Sequence, residues 1–284
     1  MNLVSLREVL EPAAEGGYAV GAFNANNMEI VQAIIEAAAE ENSPVIVQAS
    51  QGAIRYAGLD FIVAMVKAAA GGVKIPVVLH LDHGTDYEQV IRCIRYGFSS
   101  VMYDGSQLPL EENIAMTRRV VEIARAVGVS VEGELGKIGG TEDDVTVEER
   151  EALLTEPAEA VRFVQETEVD ALAVAVGTAH GPYKFEPALD YPRLQQIKEL
   201  VSASIVLHGS SGVPDEAIKK AVALGVTKFN IDTQIRQAFV QAVSAYMQAN
   251  PEDIDPRKIL APGKAAAKEI IKEKMRLFGC AGKA

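Results

Sequence analysis

A (β/α)8 barrel with a C-terminal helical extension is the architecture this sequence predicts, and three observations carry the prediction. Eight short runs rich in β-branched residues alternate with longer amphipathic segments, the pattern of repeated strand-helix units on a parallel sheet. With 284 residues, 49% of them apolar, the chain can bury one large core and falls where such barrels run as a single domain, here 1–284. The doubly wound alternative needs a GxGxxG turn after its first strand, and here that turn reads Phe23-Asn24-Ala25-Asn26-Asn27.

The runs expected as strands are 18–23, 45–49, 77–81, 100–103, 130–134, 171–176, 205–207 and 227–231. Between the first two, 28–41 has helical spacing: Ile30, Ile34, Ala37 and Ala38 share a face, Glu29, Gln32, Glu36 and Glu40 lie mostly elsewhere, and Pro44 is expected to end the helix. The least regular stretch is 135–151, where Gly136, Gly139 and Gly140 precede the acidic run Glu142, Asp143 and Asp144. It is too long for an ordinary connection. It is expected to form a mobile flap on the rim where barrel loops carry chemistry, a solvated acidic loop being the alternative. From Pro251 onward, Pro and charged residues lead into a last helix expected over 265–277.

Composition excludes several classes. A formal charge of -12 disfavours nucleic acid, whose phosphates need clustered Lys and Arg, but leaves room for a small anionic substrate in a cleft with local donors. Cys93 and Cys280 form no CxxC or Cys/His motif, which argues against a disulfide framework and for a reducing cytoplasmic setting. The start, Met1-Asn2-Leu3-Val4-Ser5-Leu6-Arg7-Glu8, carries charges where a signal peptide needs its apolar run, and no membrane-spanning stretch is expected.

Histidine placement carries most of the functional information. Of the four, His83, His180 and His208 stand at the expected carboxyl ends of the third, sixth and seventh strands. Barrel closure would bring those ends together, so three imidazoles could converge on Zn²⁺ and leave a coordination position open for substrate. Each one alone reads better as an ordinary polar residue near a loop, but three of four at strand ends point to a shared site. His80, two residues before Asp82, shares its strand face deeper in the barrel and is expected to be structural or to support the ligands.

The segments Leu79-His80-Leu81-Asp82-His83-Gly84, Val131-Glu132-Gly133-Glu134-Leu135-Gly136, Gly139-Gly140-Thr141-Glu142-Asp143-Asp144, Gly177-Thr178-Ala179-His180-Gly181 and Leu207-His208-Gly209-Ser210-Ser211-Gly212 resemble the class II fructose-bisphosphate and tagatose-bisphosphate aldolases, in the family's order and over nearly the whole chain. The resemblance implies that His83, His180 and His208 are zinc ligands, with Co²⁺ or Fe²⁺ as chemically allowed substitutes. Asp104 and Glu134 match positions that hold a second metal or a displaced zinc in some relatives, and orienting the ligands is the other role open to them. Asp82 is implied as the acid/base at the C4 hydroxyl, and Glu142 as the group that moves a proton at the enediolate carbon. Zinc would act as a Lewis acid on the C2 carbonyl.

By the same resemblance Gly181, Lys184, Gly209, Ser211, Asn230 and Thr233 would hold the dihydroxyacetone-phosphate end. Backbone carbonyls near Ala179, Gly181, Gly209 and Ser211 would be able to bind Na⁺ or K⁺. Independently, small residues with free N–H groups after the seventh and eighth strands are what a barrel phosphate site requires. Asn24 and Ser50 match further substrate contacts, with helix capping as the alternative. Asp232 and Arg236, four apart, share a helix face; in the family an Asp here goes with fructose-type enzymes and Ala with tagatose-type ones, while the Arg position grips the distal phosphate. Fructose 1,6-bisphosphate is therefore the expected substrate, with tagatose 1,6-bisphosphate as the alternative, and the family implies a homodimer or homotetramer. Three rivals remain for test: a non-catalytic companion subunit, a zinc amidohydrolase, which lacks its usual His-x-His pair here, and a Schiff-base aldolase using Lys228.

Overall fold

Alternation of β-branched runs with capped amphipathic helices produces a closed barrel. The computed structural model describes residues 3–142, 145–147, 153–181 and 187–284, with backbone alone at 141, 142 and 145–147. In chain order the elements are α1 (Leu6–Gly16), β1 (Val20–Asn24), α2 (Met28–Glu40), β2 (Val45–Ser50), α3 (Gln51–Ala57), α4 (Leu59–Gly71), β3 (Val77–Gly84), α5 (Tyr87–Tyr96), β4 (Ser100–Tyr103), α6 (Leu110–Ala126) and β5 (Ser130–Leu135). There follow β6 (Gly139–Glu142), β7 (Val145–Val147), α7 (Pro157–Thr167), β8 (Ala171–Val174), β9 (Ala179–His180), α8 (Tyr191–Leu200), β10 (Ser204–Leu207), α9 (Asp215–Ala223), β11 (Val226–Ile231), α10 (Thr233–Ala249) and α11 (Pro256–Phe278). Eight parallel strands close in the order β1-β11-β10-β8-β5-β4-β3-β2, the expected barrel, and β7-β6-β9 form a small second sheet.

The strands read as apolar runs because parallel strands are covered on both faces. Every residue of β1, β2, β3, β5 and β11 is buried. Helix starts follow capping chemistry: Ser5 and Glu8 form a capping box on α1, and the Asn27 side chain accepts from the Ile30 N–H at the start of α2. The inward face of α2 holds Ile30, Ile34, Ala37 and Ala38, as its spacing predicts.

Several strand ends differ from expectation by one to three residues, β3 running on to Gly84, and four other departures have a structural cause or consequence. Helix α2 ends at Glu40, before Pro44, because Asn42 takes a left-handed conformation at φ 46°. The sixth barrel strand stops at Val174 instead of 176. The stretch after β5 is more regular than a flap loop: β6 and β7 pair antiparallel, while Asp143, Asp144 and Glu151 lie outside the described residues. The last helix starts nine residues early, at Pro256, where Pro suits a first helical position and the Asp255 side chain accepts from the Arg257 N–H; it continues through Pro262.

That last helix is riveted to α2. Lys264 meets Glu36 at 2.5 Å, Lys268 and Lys272 both meet Glu40 at 2.8 Å, and Arg276 meets Glu41 at 2.6 Å. The four cations recur every fourth residue and so share one helix face. Cys93 and Cys280 are free and buried. Among the described residues no helix is long and apolar enough to cross a membrane.

Candidate active site

The carboxyl ends of the barrel strands deliver polar side chains to one mouth. Strand β3 supplies two neighbours, Asp82 and His83. Successive strand residues ordinarily face opposite sides, but His83 sits at φ 45°, and its ring turns to the same mouth as Asp82. A non-Gly residue in the left-handed region costs energy that the surrounding contacts must offset, a feature that clusters at functional positions. His208 immediately follows β10. His180 is not on the barrel strand, as the sequence suggests, but on β9 beyond it; Gly177 at φ 105° turns the chain away after β8.

Strand β9 is held by the hairpin. Gly139 pairs with Ala179 and Gly140 with His180. The approach is so close that a Cβ on Gly140, whose φ is 101°, would lie 2.2 Å from the His180 carbonyl oxygen. Only glycine fits there.

The three imidazoles converge. Ring centroids of His83 lie 5.1 Å from His180 and 4.6 Å from His208, with all pairs edge-on, and one nitrogen of each ring lies within 4.8 Å of the others. The outward nitrogens hold carboxylates: His83 Nδ1 is 2.8 Å from Asp104 Oδ2, and His208 Nε2 is 2.8 Å from Glu132 Oε1. Burial works against charge on Asp104, but hydrogen bonds from His83 and Ser106 outweigh it and hold the carboxyl at about 2. Burial likewise opposes charge on Glu132, and the Lys228 ammonium, foremost, together with His208 holds its carboxyl well below the usual range. Burial also pushes His208 down, which favours neutral imidazole, the ligating form.

These residues fit a divalent ion. With Asp104 and Glu132 taking the outward N–H groups, His83 Nε2 and His208 Nδ1 face each other at 2.9 Å as two lone pairs, an arrangement that repels unless a cation lies between. Tetrahedral Zn²⁺ with imidazole nitrogens at about 2.0–2.1 Å sets neighbouring nitrogens roughly 3.3 Å apart. The 2.9 Å pair is slightly tighter than that, and the His180 nitrogen lies within 4.8 Å of the other two. Glu134 Oε2 lies 3.6 Å from His208 Nδ1 and 3.9 Å from His83 Nδ1, and His83, Asp104 and Glu134 form a second group able to surround a cation.

Asp82 is fully buried and accepts three amide donors: Asn24 Nδ2 at 2.9 Å and Gln48 Nε2 at 3.0 Å on Oδ2, and Asn230 Nδ2 at 3.1 Å on Oδ1. Ser50 lies beside Asp82 in register, and its hydroxyl accepts from the Ala53 N–H, so it also caps α3. Ser211 accepts from the Asp232 N–H at 3.3 Å, which brings the loops after β10 and β11 together at the start of α10, where Thr233 is the first residue. Asp232 and Arg236 form an ion pair at 2.5 Å. Gly209, at φ 61°, lies against the Ala179 carbonyl, where a Cβ would come within 2.4 Å of the oxygen, and Gly181 takes φ 82°. Lys184 lies outside the described residues. Glu142 ends β6, but its side chain is outside the described set.

Two residues that the sequence pattern does not single out prove central. Gln48 bridges Asn24 Oδ1, at 2.6 Å, and Asp82, while Glu132 backs His208 and approaches His80 Nε2 at 3.5 Å. His80, whose Nδ1 meets the Ser100 hydroxyl at 2.8 Å, is fully buried beside Glu132. The signal for both is spacing: Gln48 stands two before Ser50 and Glu132 two before Glu134, hence on the same inward faces. The Lys228 ammonium is buried against Glu132 at 2.9 Å and Asn230 Oδ1 at 2.8 Å, an arrangement at odds with a free amine nucleophile.

Comparison with known proteins agrees with this geometry. The family model described as Fructose-bisphosphate aldolase class-II matches residues 4–283. The chain is 48% identical to a fructose-bisphosphate aldolase of Thermus caldophilus, over 99% of this chain and 100% of that one. It is 43% identical to a sulfofructosephosphate aldolase of Alkalicoccus urumqiensis, over 100% and 99% respectively. Among solved structures, the YdjI aldolase of Escherichia coli K12 superposes with a TM-score of 0.87 at 34% identity, covering 99% of each chain.

Proposed function

Because the chain belongs to the class-II fructose-bisphosphate aldolase family, we propose that it reversibly cleaves fructose 1,6-bisphosphate to dihydroxyacetone phosphate and glyceraldehyde 3-phosphate, with Zn²⁺ on His83, His180 and His208. The observation that carries the reading is the meeting of three imidazoles beside a carboxylate gripped by three amides. An ion held there supplies a Lewis acid for the ketose C2 carbonyl.

The chain's own residues do the rest. A carboxylate offers about four acceptor sites; Asn24, Gln48 and Asn230 fill three on Asp82 and leave one for a substrate hydroxyl. Asp82 takes the C4 hydroxyl proton as the C3–C4 bond breaks, giving the aldehyde product. Glu142, on the hairpin tied to the His180 strand, returns a proton to C3 of the other product. Gly181, Lys184, Gly209, Ser211, Asn230 and Thr233 hold the C1 phosphate, with Na⁺ or K⁺ on nearby carbonyls, and Ser50 borders the substrate beside Asp82. Asp232 reads the C4 configuration and Arg236 grips the distal phosphate. Asp104 and Glu132 orient the ligands, and Glu134 stands where a displaced ion could rest. The whole is read as one catalytic domain, 1–284, in a cytoplasmic homodimer or homotetramer serving glycolytic carbohydrate metabolism.

The tagatose reading is set aside, since relatives near half identity carry the fructose name. A coupled assay on fructose, tagatose and sulfofructose substrates, with and without a chelator, tests the proposal. Cleavage of the fructose bisphosphate with the highest kcat/KM, abolished by chelation and restored by Zn²⁺, is expected. Activity surviving complete metal removal would overturn it.

A further inference from the structure

The barrel interior beneath the site contains one ammonium, Lys228, with no exposed surface. A fully buried lysine is rare unless paired, and here Nζ forms an ion pair with Glu132 Oε2 at 2.9 Å and donates to Asn230 Oδ1 at 2.8 Å. Each leads to a different half of the site. Glu132 Oε1 holds His208 Nε2 at 2.8 Å, whereas Asn230 Nδ2 donates to Asp82 Oδ1 at 3.1 Å.

An asparagine amide can face either way, and nothing intrinsic fixes its oxygen and nitrogen ends. In this barrel the choice matters, because a reversed Asn230 would present its carbonyl to the Asp82 carboxylate and its NH2 to an ammonium. Lys228, a donor without acceptor capacity, permits only one orientation. Its position follows from strand geometry: Lys228 and Asn230 are two apart on β11 and share the inward face.

We propose that Lys228 is a positioning residue that fixes the Asn230 amide, and through it the Asp82 carboxylate, in register with the imidazole cluster. The proposal rests on the aldolase reading for its kinetic test. It replaces the Schiff-base role that the position of Lys228 alone allows.

Removing the lysine alone would strand the Glu132 carboxylate, so the test neutralises both. In Lys228→Met/Glu132→Gln the donor to Asn230 is lost; in Lys228→Gln/Glu132→Gln a neutral amide donor one bond shorter remains, and both keep an acceptor for His208 Nε2. Steady-state cleavage of fructose 1,6-bisphosphate and Zn²⁺ affinity by competition with a fluorescent chelator are measured on each. The Met pair is expected to fall about 10–100-fold below the Gln pair in kcat, the range typical of a lost orienting contact, with KM and Zn²⁺ affinity within about threefold of those of the Gln pair, which carries the same change at Glu132. The Gln pair, whose amide can donate to Asn230 but can also turn, is expected to recover part of the wild-type kcat. Equal kcat in the two pairs, or Zn²⁺ affinity falling in step with kcat, overturns the proposal in favour of a role in packing or in the metal site alone.

If neither pair folds, neutron diffraction from deuterium-exchanged wild-type crystals decides. A Lys228 Nζ deuteron directed at Asn230 Oδ1, with the Asn230 amide deuterons on Asp82, supports the proposal, and a Lys228 with no deuteron on Asn230 Oδ1 overturns it. Wild-type protein that cleaves no ketose bisphosphate would instead sink the aldolase reading and leave the neutron result to stand by itself.

Discussion

Replacing Asp82 by asparagine separates its part in holding the barrel mouth from its part in chemistry. The carboxylate receives two donors on Oδ2, from Asn24 and Gln48, and one on Oδ1, from Asn230. Asparagine has one oxygen. Placed at the Oδ2 position it keeps two bonds, but its NH2 then opposes the NH2 of Asn230, which cannot turn because Lys228 holds its other end. Two buried donors are left without acceptors, at about 1–3 kcal/mol each, so Asp82→Asn is expected to destabilise the protein by roughly 2–6 kcal/mol. The reverse placement orphans three donors and is worse. Loss of a general base lowers kcat by about 10²–10⁴-fold, while Zn²⁺ affinity should change little because the imidazoles are untouched. Urea unfolding, the coupled cleavage assay and Zn²⁺ competition measure the three quantities. A variant as stable as wild type, or one retaining kcat within tenfold, would refute the reasoning that three amides require a carboxylate there.

The hairpin and the outer helix give further tests. Gly140→Ala places a methyl group against the His180 carbonyl and is expected to part β6 from β9, weakening Zn²⁺ binding by about 10–100-fold as measured by chelator competition; unchanged affinity would mean that the hairpin does not position His180. Hydrogen bonds from Lys268 and Lys272 hold the Glu40 carboxyl at about 2, below its ordinary 4.5. A depressed acid contributes stability that is present above its unfolded value and lost as pH falls through the folded one. Unfolding curves between pH 5 and about 2 should therefore be flatter for Glu40→Gln than for wild type, and parallel curves would contradict the link between α2 and α11.

Much of this is legible in the amino-acid sequence. Val45-Ile46-Val47 and Val77-Val78-Leu79 announce strands covered on both faces, and the spacing of Ile30, Ile34, Ala37 and Ala38 sets the inward side of α2. The meeting of three imidazoles was legible because three of four histidines fall near strand ends. The polar layer below it was harder to see: Gln48 sits alone in an apolar run and Glu132 inside a mixed strand, where period-two alternation with Ser50 and Glu134 is the clue, while Lys228 stands out by position but not by its pairing with Glu132. The displacement of His180 onto β9 was hidden because Ala173-Val174-Ala175-Val176 reads as continuous strand, and a glycine turn shows only as a positive φ. Pro262 concealed the early start of α11, since sequence reasoning takes an internal proline as a boundary, whereas packing on α2 outweighs the one backbone hydrogen bond it removes. Asn42 gave a similar false position for the end of α2, a left-handed cap that an asparagine tolerates and a proline two residues on obscures.

The central claim is that His83, His180 and His208 hold one divalent ion beside Asp82. Anomalous diffraction at the zinc edge from crystals of the Zn²⁺-loaded protein addresses it most directly. A single strong peak is expected among these three imidazoles, with nitrogen distances of about 2.0–2.1 Å and His83 Nδ1 still on Asp104. A peak elsewhere, or no peak while the protein retains full aldolase activity, would contradict the account.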